Sequence, residues 1–199
     1  MSEVLIFNKW PTTGIKVTDP GLERYINFPA VLVPKTGARY AGQKFYKSKI
    51  NIVERLINKI MVPGHKSKKH LITSGLCTGK SQTAYNIVFD ALSIVEKKTK
   101  KNPVEVLVKA VENGASREEI ITIEYGGARY PKAVECSPQR RIDQVLKLIA
   151  QSSFQKTHKS KKNVTAALAD EIVSAYQMSQ NSVVISKKLE LERQADASR

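Results

Sequence analysis

Residues 121–151, ITIEYGGARYPKAVECSPQRRIDQVLKLIAQ, decide how the chain is read. Ile121, Ile123 and Tyr125 alternate with polar residues, Gly126-Gly127 follows, and Tyr130 to Cys136 resumes an extended pattern. Two glycines between such runs mark a tight hairpin, because the favoured two-residue turns need positive φ. Pro131 has no amide hydrogen to give to a ladder, which limits the hairpin to an edge or a free-standing ribbon. A two-stranded ribbon alone is marginal in water. A hairpin near residues 119–136 is therefore expected to project from the fold and to be steadied by a partner.

At Ser137 the hydrophobic period changes to that of a helix. Ser137 is placed to cap it and Pro138 sits at its first position. Ile142, Val145, Leu146 and Ile149 share one face. Arg140, Gln144, Lys147 and Gln151 fall within roughly 60° of one another on the opposite side. Asp143 is the only acid between Ser137 and Lys162, so that polar face is basic rather than mixed. An ordinary solvated face is the alternative reading.

Working outward, five further helical patterns appear. The first runs about 50–61 on Val53, Leu56, Ile57, Ile60 and Met61, and the second about 80–98 on Ala84, Ile87, Val88, Ala91, Ile94 and Val95. The third has Asn102 to cap, Pro103 at its first position, Glu105 placed for a capping box and Gly114 to end it. The hairpin and the fourth helix follow. The fifth opens at Asn163 with Val164, Leu168, Ile172, Ala175 and Tyr176; the sixth opens near Ser182 and runs through Leu189 and Leu191. Residues 1–45 differ: Pro11, Pro20, Pro29 and Pro34 with Gly14, Gly21, Gly37 and Gly42 restrict or loosen the backbone. They read as an extended N-terminal arm with one helical turn near Leu22 to Ile26. The expectation is a mainly α fold: a six-helix domain over 46–199, a protruding two-stranded β-hairpin, and the arm.

The charge balance indicates a partner. Lys and Arg number 33 against 18 Asp and Glu, a net charge of +15. Such an excess repels itself unless an anion neutralises it, and nucleic acid is the usual one because Lys and Arg displace counterions condensed on phosphates. No apolar run reaches membrane-spanning length, and the first ten residues do not read as a secretory signal. Cys77 and Cys136 lack the spacing of a disulfide framework or a zinc module, which fits a reducing, cytoplasmic setting. His65, His70 and His158 have no metal-ligand spacing, so no metal or cofactor is expected.

Basic clusters recur on the loops: Lys66, Lys68 and Lys69; Lys97, Lys98, Lys100 and Lys101; Lys156, Lys159, Lys161 and Lys162. Lysines on flexible loops suit phosphate contacts rather than base readout. Near the hairpin tip, Arg129, Tyr130 and Lys132 combine aromatic and basic side chains that can stack on unpaired bases, with Tyr125 across from them. The alternative is that the tyrosines only pack across the strands. Gly75-Leu76-Cys77-Thr78-Gly79-Lys80-Ser81 resembles a phosphate-binding loop. It has three residues between its glycines instead of four, and no doubly wound parallel sheet follows in the sequence. Lys80 is better read as a cation at a helix start, free to meet a phosphate. A helical DNA-binding regulator using the fourth helix in a major groove is the competing class, although no dimerisation seam is visible.

The stretch Gly126 to Glu135 followed by Ser137-Pro138-Gln139-Arg140-Arg141 resembles the signature region of the universal small-subunit ribosomal protein seven family, called small-subunit protein five in eukaryotes. The likeness extends over nearly the whole chain: Ala38 to Gly42 and Ile52 to Leu56 at the first helix, Asn102-Pro103 to Val111, Leu168 to Ile172, and Lys187 to Arg193. The arm, with Trp10, Asp19 and Tyr25-Ile26, and the C-terminal ending are similar to the archaeal and eukaryotic branch. Met61 to Lys80 departs from the family's pattern. The resemblance implies a structural, non-enzymatic protein in the head of the small subunit, bound to the 3′ major domain of the ribosomal RNA, helping nucleate head assembly. Its hairpin would lie near the exit-site tRNA and the messenger path, beside neighbouring ribosomal proteins, without membrane contact or homo-oligomer. RNA-facing positions would be Arg39 and Lys44, then Arg129 and Lys132, and Arg140 and Arg141; Lys47 and Lys49, just before the first helix, are further candidate RNA-binding residues.

Overall fold

The computed structural model describes residues 4–66, 69–70 and 75–199; of residues 65, 66, 69 and 70 it describes the backbone alone. A single helical turn, α1 (Pro20–Glu23), is followed by α2 (Ile52–Ile60), a short antiparallel pair β1 (His65–Lys66) and β2 (Lys69–His70), α3 (Ser81–Thr99), α4 (Pro103–Gly114), β3 (Glu118–Tyr125), β4 (Ala128–Glu135), α5 (Pro138–Thr157), α6 (Val164–Tyr176) and α7 (Val183–Asp196). The six long helices are those expected from the apolar periodicity.

Local chemistry sets the boundaries. Asn51, Asn102 and Asn163 each accept from the backbone N–H two residues on, closing the first turns of α2, α4 and α6. The two serine caps behave otherwise. Ser137 precedes α5 in extended conformation, but its side chain makes no capping bond. Ser182 instead donates to Glu171 Oε1 at 2.8 Å, and that oxygen accepts from Val184 N. Glu171, on α6, thus serves as a borrowed cap for α7. Glu105 makes no bond back to Asn102 among the described residues, so the capping box does not close.

α6 lies at the centre. Ala167, Leu168, Ala169, Ile172 and Ala175 are buried, and the helix touches α3, α4, α5 and α7. A helix this apolar on most sides belongs inside a bundle. α2 packs across α3 and α5 at one flank. Gly114 closes α4 where α5 and α7 come nearest: a Cβ there would stand 2.4 Å from Val184 Cγ1 and 3.3 Å from both Val145 methyls.

The N-terminal segment lacks long elements, yet it is not loose. Ile6, Phe7, Trp10, Leu22 and Ile26 join the same core as the helices. Phe7 packs on Tyr85 and Phe89 of α3 at ring separations of 4.8 and 5.4 Å. Farther along, Glu54 accepts from both Thr36 N and Thr36 Oγ1, and Asn51 and Asn27 side chains donate to Pro29 O and Ser48 O. These bonds hold residues 35–49 across the start of α2 as a strap.

The hairpin pairs Glu118 with Glu135 through Tyr125 with Ala128. Gly126 and Gly127 both have positive φ, +59° and +80°, as the tight turn requires. No third strand joins this sheet among the described residues. Among the described residues its base packs on α7 and is bonded to α5 through Arg140 and Gln144.

Candidate nucleic-acid interface

Three basic surfaces emerge. The first is the strap with the adjoining faces of α2 and α5. Arg39, Lys44 and Lys49 are exposed and make no ion pair among the described residues. Lys44 lies over the Phe45 ring and Lys49 over the Tyr46 ring, at 5.6 and 5.1 Å. Phe45, held at φ +61°, is 74% exposed. Aromatic rings beside unpaired cations on an open surface suit unpaired nucleotides, which offer both a π-face and a phosphate. Lys47 is instead paired with Asp143 Oδ2 at 2.6 Å. Between strap, α2 and α5 lies a cleft of about 400 Å³ that Lys47, Arg55, Lys59 and Lys147 all reach.

The second surface is the hairpin. Side chains alternate between faces of a ribbon and directly paired residues share a face. The register therefore places Ile121, Ile123 and Tyr125 with Lys132, Tyr130 and Ala128 on one face. Tyr125 and Tyr130 are 80% and 57% exposed, so they are not packed across the strands as a core would be. Arg129 lies on the other face beside Glu124, at 3.7 Å with both side chains mostly exposed, a pairing of little strength.

The third surface is the turn after α5. Lys159 and Lys161 are exposed without acid partners among the described residues. Lys162 and Lys98 share Asp170, and Lys156 is bound to Glu171 Oε2 at 2.5 Å. Burial pushes the Glu171 carboxyl up, but the bonds from Lys156, Ser182 and Ser152 outweigh it and hold the group below its ordinary value.

The polar face of α5 is divided rather than open. Arg140 pairs with Glu119 at the hairpin base at 2.5 Å, and Gln144 donates to the same carboxylate. Lys147 faces the cleft and Gln151 is buried. Arg141 is also buried: its Nε donates to Ser116 O at 3.1 Å and its Nη2 to Asp19 Oδ2 at 2.9 Å. It ties the N-terminal segment to α5 and the hairpin base. The even spacing could not reveal this, because Ser116, Glu119 and Asp19 come from elsewhere in the chain.

Lys80 is exposed at the start of α3. The sheets among the described residues are two antiparallel pairs, so the parallel sheet that supports a nucleotide-binding loop is absent from them. Lys66 and Lys69 sit opposite each other on β1 and β2; Lys68 lies outside the described residues. Among the described residues no three His, Cys, Asp or Glu side chains gather to hold a metal ion, and no helix is long and apolar enough to cross a membrane. Sequence reasoning missed Arg55 and Lys59. Their separation of four residues on α2 puts them on one face, but their burial depends on the strap and α5.

Known proteins resemble this chain along its length. A model of the family described as Ribosomal protein S7p/S5e matches residues 22–199. The chain is 47% identical over 194 residues to the small ribosomal subunit protein uS7 of Nanoarchaeum equitans, covering 98% of each. It is 43% identical over 197 residues to the protein of that name from Archaeoglobus fulgidus, covering 99% of this chain and 96% of the relative. With the Methanococcus aeolicus protein it shares 43% over 198 residues, covering 99% of this chain and all of the relative. A basic helical body with a projecting ribbon and matches that run nearly end to end lead to one conclusion: the chain belongs to the ribosomal protein S7p/S5e family.

Proposed function

We propose that the chain is a structural, non-catalytic constituent of the small ribosomal subunit that binds ribosomal RNA in the cytoplasm. The observation that carries this is the set of exposed, unpaired cations beside exposed aromatic rings on the strap and hairpin, in a chain whose relatives bear the name small ribosomal subunit protein uS7. Its RNA is the 3′ major domain of small-subunit RNA, which it organises as the head of the subunit assembles. It acts as a single copy, against RNA and neighbouring ribosomal proteins, with the hairpin beside the exit-site tRNA and the messenger.

The side chains divide by role. Arg39, Lys44, Lys49, Lys132, Lys159 and Lys161 neutralise phosphates, with Lys66, Lys68, Lys69 and Lys80 completing the set. Arg129 and Arg140 reach RNA by exchanging a carboxylate partner for a phosphate. Tyr125 and Tyr130 offer stacking surfaces. Arg141, Lys156 and Lys162 hold the elements that carry these groups. If roughly eight to ten phosphates are met, log affinity falls against log salt with a slope of about −6 to −9. Filter binding of the full chain to a 3′ major domain transcript, with duplex DNA at matched salt as comparison, tests this. A steep slope with preference for the transcript is expected. A flat slope, or equal binding to duplex DNA, overturns it.

A further inference from the structure

The cleft between strap, α2 and α5 is lined by four cations and, among the described residues, by no carboxylate of its own. Its walls come from three parts of the chain: Tyr40 and Lys47 from the strap, Arg55, Asn58 and Lys59 from α2, and Lys147 from α5. Asp143 is the acid at hand, and both its oxygens are taken, Oδ2 by Lys47 at 2.6 Å and Oδ1 by Arg55 at 3.3 Å. Lys59 and Lys147 have no acid partner among the described residues. Lys59 is not free in solvent either. Burial disfavours its charge, Asp143 favours it, and Lys47, Lys147 and Arg55 all disfavour it, leaving the ammonium below its ordinary value. A partly buried cation crowded by other cations carries an unbalanced desolvation penalty.

Two further details suit an oxyanion. Asn58 Nδ2 donates to the Tyr40 hydroxyl at 3.3 Å. A hydroxyl that accepts in this way keeps its own proton for an acceptor in the cleft. The neighbouring hollow of about 360 Å³, lined in part by Lys35, Arg39 and Tyr46, shares Tyr40 and Ile50 with the cleft and continues it along the strap. A chain of phosphates therefore has a path from the exposed cations of the strap into the cleft.

We propose that this cleft is a dedicated seat for one phosphate of the RNA backbone, gripped by Lys59 and Lys147, with Tyr40 and Lys47 closing over it. The assignment rests on the RNA-binding reading above and adds to it a specific site. The seat is concave, assembled from three segments, and short of an anion. A phosphate bound here also joins the strap to α5, so RNA binding clamps the strap to the helical body.

The test uses the full chain with the 3′ major domain transcript, the variants K59Q and K147Q, and K187Q as control. Lys187 pairs with Glu190 on the outside of α7. K59Q and K147Q should each reduce the salt slope by about one and weaken binding roughly tenfold at 0.1 M salt. The double variant should lose clearly less than the product of the single losses, because both act on one phosphate. K187Q should match the unsubstituted chain. Lysine acylation read by mass spectrometry gives a second measure that needs no variant: RNA should protect Lys59 and Lys147 and leave Lys187 reactive. If the unsubstituted chain binds steeply but both lysines stay unprotected and the slopes are unchanged, the phosphate seat is wrong and the RNA-binding reading stands. If the unsubstituted chain does not bind the transcript, both fall together.

Discussion

Arg140 and Arg141 are adjacent, both are basic, and the structure assigns them opposite consequences. Arg140 is largely exposed and pairs with Glu119. Exposed pairs contribute about 0–1 kcal/mol, so R140A should lower the melting temperature by no more than about 4 °C for a chain of this size. Arg141 is buried, and its two bonds hold Ser116 O and Asp19. Bonds to charged groups contribute about 1.5–3 kcal/mol, and a buried acceptor left without its donor adds a desolvation penalty. R141A should therefore lose about 3 kcal/mol, or roughly 6–12 °C. In salt titrations with the transcript, R140A should lower the slope by about one, while folded R141A should keep it. Circular-dichroism melts and filter binding on the same preparations give both numbers. If R141A melts like the unsubstituted chain but binds RNA with a reduced slope, the assignment of Arg141 to the interior is refuted.

Two further substitutions and one exchange measurement bear on the helical bundle and the hairpin. G114A places a Cβ against Val184 and Val145; the overpacking of about 1–3 kcal/mol exceeds the better helix propensity of alanine, about 1 kcal/mol, and adding V184A should recover part of the loss in urea denaturation. An alanine variant as stable as the parent would deny the close approach of α4 and α7. E171Q removes the charge that Lys156, Ser152 and Ser182 share and should cost about 2–3 kcal/mol at pH 7. Because the folded carboxyl lies below its ordinary value, this contribution is present above the unfolded pKa of about 4.3 and fades as pH falls through the lower folded value; a stability difference between parent and variant that stayed constant from pH 7 to pH 3 would contradict it. In the free protein, amides from Ile121 to Lys132 should exchange quickly, since the ribbon has cross-strand bonds but no third strand among the described residues; strong protection without RNA would argue otherwise.

The hairpin was legible because its signals are local: alternation, two glycines and a proline within a few residues. The six long helices were legible for the same reason, through apolar spacing and asparagine caps. What escaped depends on partners distant in sequence. Arg141 meets Asp19 across 122 positions, so the sequence offers only an arginine on a basic face. Ser182 marks the start of the sixth helical pattern, but that its hydroxyl is drawn to Glu171 of another helix has no local signal. The N-terminal segment reads as an arm because its prolines break any period, while Phe7 and Trp10 anchor it through rings on α3 that no spacing rule connects. The cleft behind the strap was half visible. Lys47 and Lys147 stand out by charge, but the burial of Arg55 and the crowding of Lys59 arise only when three segments close around them.

A ribosomal RNA-binding component of the small subunit should sediment with ribosomal particles for as long as their RNA is intact. A lysate of cells producing the protein would be run on a sucrose gradient after a moderate salt wash, with and without ribonuclease. The protein should travel with small subunits and whole ribosomes and be released to the top when the RNA is digested. Protein that stays at the top in both gradients would contradict it.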